Sequence, residues 1–357
     1  MIKTQYISRG QILGIIIFLL LLGSISYLIV IDYTKREPQL SLYQQTRTNL
    51  LGTAVTVNFY DQYDQSIYDA IFQIVKDIDQ RLSFHDLSSE ISRINMSSSI
   101  SITDISQETL NILEQALLWA DHSEGAFDPT IGTVMELWKD NSHFSVLPEA
   151  SNIENSVYFV DYKLVKFESN KIRLPIDTKL DLGAIAKGYA ADMAVSYIKK
   201  QQIPSAVLDF GGNIYAIGSR PDGLLWQIGV RSPLKGEDAS VCVVSVEDIS
   251  IVTSGLYERY FEKNDSFYHH ILDPRTGYPA QTNLLSVTVI SKSSTQADAL
   301  STACFVMGLP KGLSFIESSP NCEAIFITED LEIFSTSGIY EKIKLIDPRF
   351  TLINNTN

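Results

Sequence analysis

Asp298 and Thr302 stand four residues apart in the segment Thr295–Met307. On a helix that spacing places both side chains on one face, a turn apart. A carboxylate beside a hydroxyl suits a hard, oxygen-seeking cation, Mg2+ before Ca2+. The pair also fits two purely structural duties: Asp298 answering the helix dipole and Thr302 bonding back to a carbonyl. In Asp181–Asp192, DLGAIAKGYAAD, a strand runs through Gly183 into a helix with Lys187 on its first turn. Free backbone N–H groups and an ammonium at such a junction hold phosphate, and Gly188 lets a neighbour pack closely. An N-capped core helix is the other reading, because Gly-x-x-x-x-Gly without a following Lys-Ser/Thr is not a Walker loop.

The segment His269–Pro279, HHILDPRTGYP, holds two adjacent imidazoles and a turn signalled by Asp273-Pro274 and Thr276-Gly277. Adjacent residues of a strand point to opposite faces, so only one of His269 and His270 faces a given site. A neutral imidazole serves as a general base near neutral pH. The alternative is a hairpin with one buried and one solvated histidine. GAFDPTIG (Gly125–Gly132), DFGGN (Asp209–Asn213) and TSG (Thr253–Gly255) each offer a turn where backbone can approach a ligand.

The elements that must position these groups are visible in the pattern. Val55, Val57 and Phe59 alternate within Thr53–Tyr60, as in a half-buried strand. Ile67, Ile71, Ile74, Ile78 and Leu82 line one face of a helix over Gln65–Leu82, and Leu110, Leu113, Leu117 and Ala120 do so over Gln107–His122. A short strand is expected at Lys179–Leu182 and a helix over Ala184–Lys200. Further strands are expected at Ala206–Phe210, Leu225–Val230, Val241–Val246, Leu284–Ser291, Ala324–Thr328 and Glu332–Ser335, with a helix over Thr295–Met307. Helices and strands mix without regular alternation, which reads as α+β.

Composition narrows the function. The 357 residues are 45% hydrophobic and 20% charged, ordinary for a globular chain. A net charge of −14 repels phosphate backbones and argues against nucleic acid as a main partner, so a phosphate ligand needs a local exception. The three cysteines, Cys242, Cys304 and Cys322, lie too far apart for a zinc knuckle or a Cys-x-x-Cys redox pair. Residues 12–31 form an uncharged apolar run of 20 residues, about the length that crosses a hydrocarbon core of ~30 Å. A cleaved signal peptide is the other reading, but the unbroken length and the lack of a small-x-small site favour a retained anchor. Basic residues flank it almost evenly and set its orientation only weakly. The expected organisation is a tail at 1–11, an anchor at 12–31, a linker at 32–48, one domain at 49–345 and a C-terminal tail at 346–357.

Taken together and in order, nine segments resemble the ApbE family of FAD:protein FMN transferases. They are Leu51-Gly52-Thr53; Ser83-Phe84-His85 through Ser89-Glu90 to Asn95; Gly125–Pro129; Asp181–Asp192; Gly211-Gly212-Asn213; Gly229-Val230-Arg231 with Pro233; Thr253-Ser254-Gly255; His270-Ile271 with Asp273-Pro274 and Thr276-Gly277; and Ala297–Leu300 with Thr302-Ala303. The resemblance implies an α+β fold related to tunnelling-fold modules. It implies an enzyme that binds FAD and Mg2+, moves FMN to a Ser or Thr hydroxyl of a target protein and releases AMP. The implied targets are flavin-carrying subunits of membrane redox complexes, marked by Asp-x-x-Ser/Thr-Gly-Ala-Ser/Thr, reached from the periplasmic side of the inner membrane. Carried over position by position, Asp298, Thr302 and the carbonyl of Ala184 become metal ligands. Leu51, Phe84, Ala126, Phe127, Asp128, Asp181, Lys187 and Ile271 become FAD contacts, and His270 the base for the acceptor hydroxyl. Phe84 stands where the family often has Tyr or Trp, a change that keeps a stacking ring and loses a hydroxyl. Water as acceptor would make the same site an FAD pyrophosphatase; without turnover it would be an anchored flavin-binding protein.

Overall fold

Val55, Val57 and Phe59 are fully buried, as their alternation requires, and the strand they mark seeds a large sheet. The computed structural model describes residues 41–97, 103–139, 147–234, 236–256, 260–263 and 266–354. Among them a central sheet is built from β1 (Tyr43–Leu50), β2 (Thr53–Phe59), β3 (Ala206–Phe210), β4 (Asn213–Ile217), β5 (Ile249–Gly255), β6 (Leu284–Ser291), β7 (Cys322–Thr328), β8 (Glu332–Ser335) and β9 (Thr351–Leu352). The strands lie side by side in chain order. Each is antiparallel to the next, except that β9 joins β8 in parallel.

The helices enter as excursions from this meander. Between β2 and β3 come α1 (Gln65–Leu82), α2 (Glu90–Ser97), α3 (Gln107–His122), α4 (Gly132–Lys139), α5 (Ala150–Val157) and α6 (Ala186–Lys200); α7 (Ser294–Met307) and α8 (Leu309–Glu317) lie between β6 and β7. Asp64 caps α1 and Ser106 caps α3 through side-chain oxygens that accept from first-turn N–H groups. Val287, Val289, Ala324 and Phe326 face the helices, while Ile290, Ile325 and Ile327 face the other way. On that second face they meet a three-stranded sheet of Trp226–Arg231, Ser240–Val246 and Ile343–Leu345. The period-2 alternation of β6 and β7 thus feeds two cores, one on each side of the sheet. Cys242, Cys304 and Cys322 are buried free thiols within those cores and act there as small apolar side chains.

Three expectations change. The stretch read as linker, 32–48, ends in a strand: Tyr43–Thr48 already pairs with β2. Its side chains are mostly exposed on both faces, so no hydrophobic period betrays it; backbone pairing and the Thr46–Thr56 hydroxyl contact at 3.0 Å hold it. The C-terminal stretch read as tail, 346–357, carries β9 and the buried Phe350, so it closes the sheet. Lys179–Leu182 makes a single bridge, Lys179 to Ile131, in place of a strand, and α6 starts at Ala186 in place of Ala184. The apolar run 12–31 lies outside the described residues; among those described, no helix is long and apolar enough to cross a membrane.

Candidate active site

The site begins where α6 crosses α7. A methyl group on Gly188 would overlap the carbonyl oxygen of Ser294, so only glycine lets the two helices approach this closely. That approach brings the Gly188 N–H to Asp298 Oδ2 at 2.8 Å, and Lys187 Nζ to Asp298 Oδ1 at 3.6 Å. Asp298 is only 3% exposed. Burying a carboxylate this deeply is costly unless hydrogen-bond donors and positive charge compensate it. Asp298 does not cap α7. The first-turn donors of α7 are taken by Ser293, which accepts from Gln296 N–H, and by Asp192 of α6, which accepts from Ser294 and Thr295 N–H at 2.8 and 2.9 Å.

One turn beyond Asp298, Thr302 Oγ1 lies 3.4 Å from Ser254 Oγ, which in turn lies 2.8 Å from Ser301 Oγ. Ser254 is on β5, so these hydroxyls gather where β5 runs under α7. Ala184 sits in the turn that enters α6, three residues before Lys187. The Asp298 carboxylate and the Thr302 hydroxyl are hard oxygen donors, the chemistry that suits a divalent cation. Among the described residues, no group of three or more His, Cys, Asp or Glu side chains gathers as a metal site.

The phosphate cradle expected from free N–H groups at the start of α6 is partly closed. Ala186 N–H donates to Leu182 O at 2.9 Å, and Gly188 N–H is committed to Asp298. What the junction retains for an anion is the Lys187 ammonium. Asp181 folds back on its own turn, its Oδ1 accepting from Gly183 N–H at 2.7 Å. Its N–H donates to Pro129 O at 2.8 Å, which docks this loop on the GAFDP turn. Asn95 locks the same loop from behind: it donates to Leu180 O at 2.9 Å and accepts from Leu180 N–H at 2.7 Å.

In the GAFDP turn, Ala126 and Phe127 are buried in the main core, and their N–H groups donate to the Ser123 carbonyl and hydroxyl, each at 3.1 Å. The Asp128 carboxylate is buried too. It accepts from Thr130 N–H and hydroxyl at 2.8 and 2.6 Å and from Tyr162 N–H at 3.2 Å. Burial raises its pKa above the ordinary carboxylate value, against those hydrogen bonds. Asp128 is therefore a turn-former first.

Leu51 and Gly52 form the β1–β2 turn with φ of +51° and +70°. Beside it lies the β3–β4 turn, where Gly211 at φ +66° leaves no room for a side chain against Thr53. From that turn Asn213 Oδ1 accepts from Ser294 Oγ at 2.7 Å, tying the sheet end to the start of α7. Phe84, half-buried, meets the His85 ring edge-on at 5.7 Å between centroids. Its loop is fixed by Ser83 Oγ, which accepts from His85 and Asp86 N–H at 3.2 and 3.1 Å.

The strand Ser266–His269 ends between the two histidines. His269 is buried; its Nε2 donates to Ala280 O at 3.1 Å, its Nδ1 accepts from Ile271 N–H at 3.2 Å, and its ring meets Phe305 of α7 at 5.6 Å. Burial lowers its pKa below the ordinary imidazole value. His270 is half-buried at the following bend, and Ile271 is buried. The turn beyond them is fixed by Trp138 Nε1, which donates to Gly277 O at 2.8 Å. A cleft of about 900 Å³ opens beside this turn, lined by Arg275, Tyr278 and the C-terminal end of α7, with Asp298 and Thr302 outside it.

Sequence reading missed the partners that make the site: Gly188 N–H for Asp298, Ser254 for Thr302 and Asp192 for the start of α7. Each joins residues from 48 to 110 positions apart, a separation that carries no periodic signal.

The family model described as the ApbE family matches residues 51–326. The FAD:protein FMN transferase of Treponema pallidum is 32% identical over 323 residues, covering 85% of this chain and 89% of that one. The protein of the same name from Klebsiella pneumoniae is 30% identical over 310 residues, covering 86% and 96%. Among solved structures, the ApbE protein of Thermotoga maritima superposes with a TM-score of 0.77 at 32% identity, covering 84% of this chain and 98% of that one. The flavin transferase ApbE of Vibrio cholerae does so with 0.73 at 26% identity, covering 83% and 98%.

Proposed function

The chain belongs to the ApbE family, and from that premise we propose that it moves FMN from FAD to a Ser or Thr hydroxyl of a target protein, releasing AMP with the help of Mg2+. The observation that carries the reading is the buried Asp298 held between Gly188 N–H and Lys187, with Thr302 one turn away. Asp298, Thr302 and the Ala184 carbonyl would hold the cation, whose chemistry there is to neutralise pyrophosphate charge. Lys187 adds a mobile positive charge at the same junction. Leu51 and Phe84 supply apolar contact for the isoalloxazine ring, and the Ala126–Phe127 backbone and the Asp181 turn shape the walls.

His270 does the proton work. An unactivated hydroxyl is a weak nucleophile, so the acceptor oxygen needs a base within hydrogen-bond reach. As that oxygen bonds to the phosphorus of the FMN half, its proton passes to His270. The bond to the AMP phosphate oxygen breaks, and AMP leaves with the electron pair. His269 holds the strand end in place through Ala280 and Ile271.

The proposed acceptor bears Asp-x-x-Ser/Thr-Gly-Ala-Ser/Thr and belongs to a membrane redox complex. The apolar run 12–31 would anchor the enzyme at the inner membrane, with the catalytic domain on the periplasmic side. The test is mass spectrometry of an acceptor domain incubated with the full-length chain, FAD and Mg2+. An FMN adduct with stoichiometric AMP is expected. Free FMN and AMP without an adduct would mean a pyrophosphatase, and intact FAD would mean a binding protein.

A further inference from the structure

We propose that Lys187 is a placeholder cation: it neutralises Asp298 while the metal is absent, gives way when a divalent cation arrives, and then serves the pyrophosphate that arrives with it. The inference rests on the reading of Asp298 as a metal ligand. Its consequence is that metal and flavin bind cooperatively.

The two partners of Asp298 differ in kind. Oδ2 accepts a backbone N–H from Gly188 at 2.8 Å, and that donor is fixed by a crossing that tolerates only glycine. Oδ1 faces Lys187 Nζ at 3.6 Å, beyond hydrogen-bond distance, so the ammonium is attracted without being locked. The Lys187 side chain is 24% exposed and hangs on a flexible four-carbon stem. One partner is part of the scaffold, and the other is free to swing.

Charge decides the order of events. Asp298 and Lys187 together are neutral. A divalent cation added alone at Oδ1 leaves two positive charges in excess and presses against an ammonium a few ångströms away. The same cation added with a pyrophosphate, which carries two negative charges, leaves the junction neutral again. Lys187 then moves from a carboxylate to a phosphate oxygen, a partner of the same sign and chemistry. Metal alone is opposed, flavin alone meets the Asp298 charge, and the two together fit. By linkage each must raise the affinity of the other by the same factor.

The experiment follows free Mn2+ by its EPR signal during titration of the purified full-length chain. In the wild type, Mn2+ affinity is expected to rise about tenfold or more when FAD is present, about 1.4 kcal/mol. In Lys187→Gln without FAD, Mn2+ is expected to bind about tenfold more tightly than in the wild type, again about 1.4 kcal/mol. FAD, followed by its fluorescence, should help Mn2+ less in that variant, whereas Lys187→Arg should keep the wild-type pattern. Equal Mn2+ affinity with and without FAD in the wild type overturns the proposal without recourse to any variant. Unchanged or weaker flavin-free Mn2+ binding in a folded Lys187→Gln protein overturns it as well. Asp298→Asn separates the two layers: if that variant binds Mn2+ like the wild type, Asp298 is no ligand and the underlying reading fails.

Discussion

Asp192 of α6 seats the start of α7, its Oδ2 accepting from both the backbone N–H of Thr295 at 2.9 Å and the Thr295 hydroxyl at 2.7 Å. Its Oδ1 takes the Ser294 N–H at 2.8 Å. A carboxylate from one helix thus caps the next, and the cap fixes how far along α7 Asp298 lies from Gly188. Asp192→Ala should cost about 1–2 kcal/mol of stability, the range for a lost cap. It should also weaken metal binding, although Asp192 touches no ligand. Thermal unfolding with a parallel Mn2+ titration would check both; an unchanged melting temperature would show that Ser293 alone suffices as cap.

Gly188→Ala is expected to be far more damaging than its size suggests. The added methyl meets a backbone carbonyl, which has no rotamer to give way, so α6 and α7 must separate. The Gly188 N–H would then leave Asp298, stranding part of a buried carboxylate. We expect a loss of several kcal/mol, about 3 or more, or failure to accumulate as folded protein. A soluble Gly188→Ala protein with wild-type denaturant midpoint would show that the helices have slack here.

Asn95→Ala removes both hydrogen bonds to Leu180 and leaves a buried N–H and C=O unpaired. That should cost about 2–3 kcal/mol. Because Leu180 adjoins Asp181, FAD affinity should fall with it, while Asn95→Asp should rescue at most one bond. Equilibrium unfolding and FAD fluorescence titration read the two effects; intact FAD binding would mean the Asp181 turn holds itself.

His269 and His270 should answer substitution in opposite ways. His269 accepts from Ile271 N–H through Nδ1, so protonation there breaks a buried bond. Burial lowers its folded pKa below the ordinary 6.5. The unfolded chain therefore binds the proton first. The stability His269 contributes is present in full above about pH 6.5 and is lost as pH falls through the lower folded value. Wild-type melting temperature should drop on acidification, and His269→Gln should flatten that drop; parallel curves would remove His269 as the cause.

His270→Ala should leave the melting temperature and FAD affinity near wild type and slow FMN transfer by about 100-fold or more. Transfer at the wild-type rate would exclude His270 as the base.

The family and the main elements were legible in the chain because they are local. Ile71, Ile78 and Leu82 mark α1 by their 3.6-residue period, and Val55, Val57 and Phe59 mark β2 by alternation. The turns Leu51-Gly52, Gly211-Gly212 and Asp273–Gly277 announce themselves through residues that turns require. The first and last strands of the sheet escaped notice for the converse reason. Tyr43–Leu50 is exposed on both faces and Thr351–Leu352 is two residues long, so neither bears a pattern.

Spacing alone favoured separate structural duties for Asp298 and Thr302, and only the family resemblance proposed that they act together. The tertiary structure adds what the chain could not show: it buries Asp298, brings Lys187 and Gly188 to it across more than a hundred residues, and fills the α7 cap with Asp192. Likewise strand alternation alone left His269 and His270 as equals, and the fold buries His269 against Phe305 while His270 is half-buried. Periodicity records which face of an element is apolar. It holds nothing about which distant backbone will come close enough to neutralise a charge, because that depends on how two helices pack and on the one glycine that lets them cross.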